Sequence, residues 1–330
     1  MGHGRRQVRG LGAALAGMVI AAAAGSALPA QSLPRPDDVS TLDGILAAYY
    51  DVVSGPAGSL PDRARDRSLH HPDALVALAG RGDDGRPTLA TMTIDGYHDR
   101  FGGERAAGFF EWETAREVRT HGSITHVWSS YASSDRPDGP VQGRGVNSIQ
   151  LHHDGERWWI LGWAFDGSAG AEAEAASRSA GSATAGASRS SGGAGSATDV
   201  LAAVQEFFDA MAAADVERSR RVLASGARFF SVREEPSGRV TGTFTTEEHL
   251  ARLPTSGVLL ERMWDPRVEI QGDVASVWAP YDFHVDGAFS HCGTDAFTLM
   301  RTPDRWILTG ATYTVQRTGC APSPLGPPAG

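Results

Sequence analysis

The sequence predicts an α+β protein made of two diverged copies of one module. Three observations carry this expectation: each half opens with an amphipathic helical pattern, each half closes with a series of alternating apolar strands, and the halves match each other in register. Helices followed by a long meander is the order of elements expected of a helix layer packed on a sheet.

The opening helix of the first copy is marked by Leu42, Ile45, Leu46, Tyr49 and Val53 at helical spacing after the cap candidate Ser40. In the second copy the same face is Val200, Val204, Phe207, Phe208 and Met211 after Asp199. Short helices are expected next, one of them starting at the capping box Thr245-x-x-Glu248. Four strands then run over 107–120, 124–134, 143–153 and 157–166, and again over 258–270, 273–285, 289–301 and 305–316. Asp154-Gly155 is a hairpin turn signal between the last two strands of copy one.

The internal match fixes the correspondence. Phe109-Phe110-Glu111 aligns with Leu259-Leu260-Glu261, and Val127-Trp128-x-x-Tyr131 with Val277-Trp278-x-x-Tyr281, without a gap. After a two-residue slip, Gly145-x-Asn147 meets Gly293-x-Asp295, Arg157-Trp158 meets Arg305-Trp306 and Gly162 meets Gly310. Tyr49-Tyr50-Asp51 echoes Phe207-Phe208-Asp209 near each start.

Composition bounds the rest. Residues 1–30 read as a cleaved export signal, with Arg5, Arg6 and Arg9 ahead of an apolar run from Leu11 to Ala24, short of the roughly 20 residues that cross a bilayer. The expected order is a first module over 38–166, a flexible Gly/Ala/Ser tether over 167–198, a second module over 199–317 and a Pro/Gly-rich tail over 318–330. The net charge of −9 argues against a nucleic-acid partner, which needs a basic face. No membrane attachment is expected after cleavage, and the exported location is periplasmic or secreted. Cys292 and Cys320 are the only cysteines, so in an oxidising compartment they are a candidate disulfide; a free buried thiol at Cys292 is the alternative.

The opening helix with its paired aromatics, the segment VASVWAPYDFHVDG and the closing segment GTDAFTLMRTPDRWILTGATY resemble the nuclear-transport-factor-2-like superfamily, also called SnoaL-like. The resemblance covers both halves. It implies two tandem cone-shaped domains, each with N-terminal helices closing over a curved antiparallel sheet to enclose a pocket. The superfamily includes isomerases, dehydratases, epoxide hydrolases, cyclases and non-catalytic binding modules, so the fold leaves activity open. It also implies that modules pair through the sheet face opposite the pocket. Trp128, Trp159, Leu161, Trp163 and Phe165 in copy one, and Trp278, Ile307 and Tyr313 in copy two, are expected there as a pseudo-dimer interface, with a homodimer of chains through the same surfaces as the alternative.

Strand parity nominates the pocket. Phe297 and Leu299 alternate, so Asp295, Gly293 and His291 share their face; Val277, Ala279, Tyr281 and Phe283 set the matching parity on the neighbouring strand. Closing the last hairpin at Pro303-Asp304 is taken to place Phe297 opposite Leu308 and Asp295 opposite Gly310, and the same reading places Asn147 opposite Gly162. Asp295, Tyr281 and His291 are then a candidate catalytic set, because a buried carboxyl, a phenol and an imidazole suit proton transfer. Tyr281, Asp295, Phe297, Gly310, Tyr131 and Asn147 are the candidate ligand-binding residues. Copy one has Asn147 in place of the acid, and an amide cannot act as a base at neutral pH.

No cofactor or metal is expected: adjacent histidines such as His70-His71 and His152-His153 point to opposite strand faces. His126 and His284 fall on the parity away from the pocket, as surface or interface residues. The functional reading is an exported protein whose second module binds a small apolar molecule without turning it over. Two alternatives stay open: a lyase or isomerase with Asp295 as general base, and a scaffold whose pockets are filled by its own side chains.

Overall fold

A computed structural model describes residues 34–166, 196–235, 238–254 and 256–328. The expected export segment lies outside these residues, as does all of the expected tether up to residue 195. Module one contains α1 (Pro36–Val39), α2 (Leu42–Val53), α3 (Arg63–Leu69), β1 (His70–Arg81), β2 (Pro87–Thr93), α4 (Ile94–Phe101), β3 (Phe110–His121), β4 (Ile124–Ser134), β5 (Gly143–His153) and β6 (Trp158–Asp166). Module two repeats the order with α5 (Ala197–Ala212), α6 (Val216–Val222), β7 (Leu223–Glu235), β8 (Gly238–Thr245), α7 (Thr246–Ala251), β9 (Leu259–Met263), β10 (Arg267–Gln271), β11 (Val274–Val285), β12 (Ala288–Arg301) and β13 (Trp306–Val315).

The caps explain where the helices start. Thr41, not Ser40, accepts the Gly44 N–H ahead of α2. Ser196 and Asp199 form a capping box on α5, so Asp199 occupies the third helical position rather than the cap. Thr245 and Glu248 form the box on α7 that their spacing predicts. Helix α2 buries Ile45, Leu46 and Tyr49 against Val127, Ile149, Leu151 and Ile160, and α5 buries Val204, Phe207 and Phe208 against Val277, Phe297 and Leu299. Each such side chain contributes about 1.5–3 kcal/mol on full burial.

The sheets are mixed rather than purely antiparallel. Their strand orders are β2-β1-β6-β5-β4-β3 and β10-β11-β12-β13-β7-β8, with β9 also paired to β11. β1 runs parallel to β6, and β7 parallel to β13. The β1–β2 and β7–β8 hairpins stand where the sequence reading placed only short helices. Ala74 to Ala79 in β1 is a nearly continuous buried run, so it lacks the alternation that marks a half-buried strand. The strand expected over 258–270 is two strands, β9 and β10, which pair successive stretches of β11.

One irregularity recurs in both modules. Gln150 pairs with Gly162 and Leu151 with Ile160, leaving Leu161 as an extra residue; Thr298 pairs with Gly310 and Leu299 with Leu308, leaving Thr309 extra. A bulge of this kind reverses the parity of everything beyond it. Trp163, Phe165 and Tyr313 therefore turn into the cones, not onto the outer sheet face where strict alternation puts them.

On the outer faces, Trp128 is buried with Ala77, Ala79, Val146, Ala164, Val274 and Met300, a cluster drawn from both modules, while Trp278 is half-buried. Polar links surround it: Gln150 Nε2 donates to Thr298 Oγ1 at 3.3 Å, Arg119 meets Glu269 at 2.5 Å and Arg81 meets Asp273 at 2.9 Å. His126 is buried beside Glu269, whereas His284 is buried beside Asp282 within module two. At the C-terminal end Cys292 and Cys320 are joined, with Cα atoms 6.1 Å apart. Gln316 exchanges two backbone hydrogen bonds with Cys292, which turns the chain back to make that approach.

Candidate functional site

Module two encloses a cavity of about 180 Å³ between its helices and the concave face of its sheet. Phe207 and Met211 come from α5, Phe229 and Phe244 from β7 and β8, and His249 from α7. Asp295 and Phe297 enter from β12 as their alternation predicts, and Tyr281 enters from β11. Asp295 stands opposite Tyr313, not Gly310, because the hairpin sets Leu299 against Leu308 and Thr309 bulges beyond it. Gly310 is not part of this cavity. Its missing side chain would point at Arg228 O, 3.1 Å away, toward the space between the sheets.

The polar end of the cavity is a carboxyl pair. Asp295 and Glu261, from β9, hydrogen-bond each other, and Asp295 Oδ2 has no further partner among the described residues. Burial drives the Asp295 carboxyl well above the ordinary carboxylate range, reinforced by the charge of Glu261, and burial pushes Glu261 up to about 7. Two carboxyls in one desolvated space cannot both ionise cheaply, so the pair holds a proton and titrates as a unit.

The other nominated residues sit near this pair without joining its hydrogen bonds. Tyr281 donates its hydroxyl to Thr314 O at 2.8 Å, so its proton is committed to the backbone. Its ring lies over Gly293, where an added Cβ would come within 2.7 Å of the ring and closer still to Thr314 O. That close approach is the physical content of the Gly-x-Asp spacing. His291 lines the cavity and stacks on Phe283 at 4.7 Å, and its Nδ1 pairs with Ser290 Oγ at 3.0 Å. Burial lowers the imidazole to about 4, so it is neutral at neutral pH. Among the described residues no hydrogen bond links Asp295, Tyr281 and His291 to one another; the partner of Asp295 is Glu261. The sequence held one signal for it, since Glu111 and Glu261 recur at the same point of the repeat.

In module one the sheet end of the corresponding space is filled. Trp163 replaces Ala311 and packs on Tyr49 at 5.5 Å, Tyr97 at 5.1 Å and Phe165 at 5.1 Å. Asn147 donates to Glu111 Oε1 at 3.0 Å and to Tyr50 OH at 3.3 Å; Tyr50 OH lies 2.6 Å from Ser129 Oγ, which donates to Glu113 at 2.5 Å. Burial raises Glu111 to about 7, opposed by the Asn147 bond. Asn147 thus belongs to a filled hydrogen-bond network rather than to a ligand pocket, and Tyr131 covers Gly145 as Tyr281 covers Gly293. Neither Asn147 nor Tyr131 lines the cavity of about 360 Å³ that this module holds beside α3 and α4.

Among solved structures, the chain is similar to nuclear-transport-factor-2-like proteins. One, of unknown function from Shewanella baltica, is 16% identical; the match covers 36% of this chain and 92% of that one, with a TM-score of 0.29. A superfamily protein from Salmonella enterica is 10% identical over 38% of this chain and 93% of its own, with a TM-score of 0.30. The association domain of C. elegans CaMKII is 18% identical over 35% and 92%, with a TM-score of 0.28. No family model and no curated protein matches the sequence. The α+β cone of each module stands on its own helix order and strand pairing. Among the described residues, no helix is long and apolar enough to cross a membrane, and no cluster of side chains is suited to a metal ion.

Proposed function

We propose that module two binds a compact, mostly apolar molecule whose single hydrogen-bonding group meets the Asp295–Glu261 pair. The observation that carries this reading is an aromatic cavity of about 180 Å³ with one protonated carboxyl pair at its polar end. An apolar cavity of about 150 Å³ accepts benzene, so a slightly larger one suits a single ring with a substituent. A half-protonated pair offers both an O–H donor and a carboxylate acceptor, so a hydroxyl or a carbonyl on the ligand finds a partner. A buried pair left without a third partner is costly, and that cost favours an occupant.

A second reading is supported by the same retained proton. One oxygen of the pair could take a proton from a bound molecule while the other returns one, as in a lyase or isomerase. The export signal over 1–30 and the Cys292–Cys320 bond support a site outside the cytoplasm. Native mass spectrometry of protein purified from its own host tests the binding reading. A small molecule retained by the wild type and lost from Asp295→Asn, with both forms melting at similar temperatures, is the expected outcome. Equal retention by the two would remove the site. Turnover abolished in the same variant would favour the second reading.

A further inference from the structure

Module one places its titratable side chains elsewhere. A cavity of about 360 Å³ opens between α2, α3, α4 and β6, walled by Val52, Val53, Tyr97, Phe101, Phe109 and Phe165. At its polar end the Asp66 carboxylate lies between two histidines, 3.3 Å from His70 Nδ1 and 3.2 Å from His98 Nε2. His98 is 1% exposed and His70 equally buried.

The two histidines differ in what they still need. His70 is saturated: Nδ1 faces Asp66 O at 2.8 Å, and Nε2 accepts from Trp163 Nε1 at 3.1 Å. That pattern requires the proton on Nδ1, and burial keeps the ring neutral. His98 is not saturated. Its Nε2 is out of line with Asp66 for a hydrogen bond, and its Nδ1 has no partner among the described residues. A buried imidazole left so is costly until something supplies its missing partner. At the cavity wall Arg105 donates to Val53 O at 2.7 Å and Ser59 Oγ at 3.2 Å, and no carboxylate offsets its charge among the described residues. Burial lowers its pKa for that reason.

The cavity wall is shared in part with module two, where Met211, His249, Leu253, Leu259 and Tyr313 stand in place of Val53, Tyr97, Phe101, Phe109 and Phe165, but the titratable groups are not. Asp62 and Asp215 cap α3 and α6, which sets Asp66 against Ser219; Thr93 and Thr245 cap α4 and α7, which sets His98 against Leu250. The parallel pairings of His70 with Ile160 and of Leu223 with Leu308 set His70 against Leu223. Module two thus has Ser, Leu and Leu where module one has Asp, His and His.

We propose that this cavity is a second small-molecule site, selective for a compact aromatic or aliphatic carboxylate whose anionic group meets Arg105 and whose far end hydrogen-bonds His98. Titration calorimetry on the full chain with 4-hydroxyphenylacetate and its neutral amide tests it. The acid is expected to bind at least tenfold more tightly than the amide. Arg105→Gln is expected to erase that preference. His98→Leu, the residue module two carries there, should weaken both probes while keeping the preference. Ala311→Trp, which fills the other module's cavity, should leave both affinities unchanged. Equal affinity of the wild type for acid and amide overturns the proposal without recourse to any variant. So does a preference that survives a folded Arg105→Gln, the loss of binding in Ala311→Trp, or no saturable binding of either probe.

Discussion

Modules one and two share most of their strand pairing, yet they use the space inside the cone differently. Asn147 pairs with Phe165 as Asp295 pairs with Tyr313, and each final strand bulges at the same step, Leu161 and Thr309. Within that common frame Ala311 stands where module one has Trp163, Phe208 where it has Tyr50, Ala279 where it has Ser129 and Met263 where it has Glu113. Module one plugs the sheet end of its cone with an indole, wires the polar groups there to each other and leaves a cavity only toward α3 and α4. Module two emptied the cone, stripped the network to two carboxyls and surrounded them with aromatic rings. The backbone of this fold leaves the choice open, because the contents of the cone are set by a few inward side chains.

The largest expected effect breaks the plug. Trp163→Ala removes a buried ring with three aromatic neighbours and the bond to His70, and should lower stability by about 3–5 kcal/mol in urea denaturation. A loss below about 1 kcal/mol would mean that the indole is dispensable to module one.

Next is the staple that module one lacks. Replacing Cys292 and Cys320 by serine opens a loop with a sequence separation of 28 residues. The cost should be about 3 kcal/mol, seen as a lower melting temperature under non-reducing conditions only.

Importing the plug sharpens the contrast from the other side. Ala311→Trp should cost about 1–3 kcal/mol by overpacking and abolish retention of any ligand in module two. Retention in spite of the indole would place the ligand elsewhere.

The acids give a subtler test through pH. Glu111 and Glu261 each rise from an ordinary value of 4.5 to about 7 on burial. The folded state then binds more protons than the unfolded one between these values, so their contribution is full below pH 4.5 and is lost as pH rises through 7. The difference in stability between wild type and Glu261→Gln should therefore move against the wild type over that window, on the order of 3 kcal/mol. Glu111→Gln should behave in the same sense. A flat difference would mean that these carboxyls are ionised in the fold. The smallest effect is expected of Tyr281→Phe, about 1 kcal/mol, since the lost bond to Thr314 O is single and neutral.

Much of this was legible in advance, for local reasons. The helical spacing of Leu42 to Val53 and the alternation of Asp295, Phe297 and Leu299 follow from backbone periods of 3.6 and 2 residues, which act over a few positions. The in-register repeat announced the two modules, and the capping box at Thr245 marked a helix start. Glu261 was visible only as a match in that repeat. Nothing local distinguished it from a surface acid at the end of a strand.

What the chain by itself determined is therefore the set of elements, their order and the inward face of each strand before any interruption. The tertiary structure decided the rest. The bulges at Leu161 and Thr309 depend on pairing across strands, and they sent Tyr313 and Trp163 inward and Gly310 outward. The antiparallel hairpins β1–β2 and β7–β8 join their sheets through the parallel β1–β6 and β7–β13 pairings, which depend on the sheet edge that lies free to receive them. The meeting of Asp295 with Glu261, and of Asp66 with His98, depends on β9 curling over β11 and on α3 lying beside α4. These are contacts between residues far apart in sequence, and a local period carries no information about which of them will close.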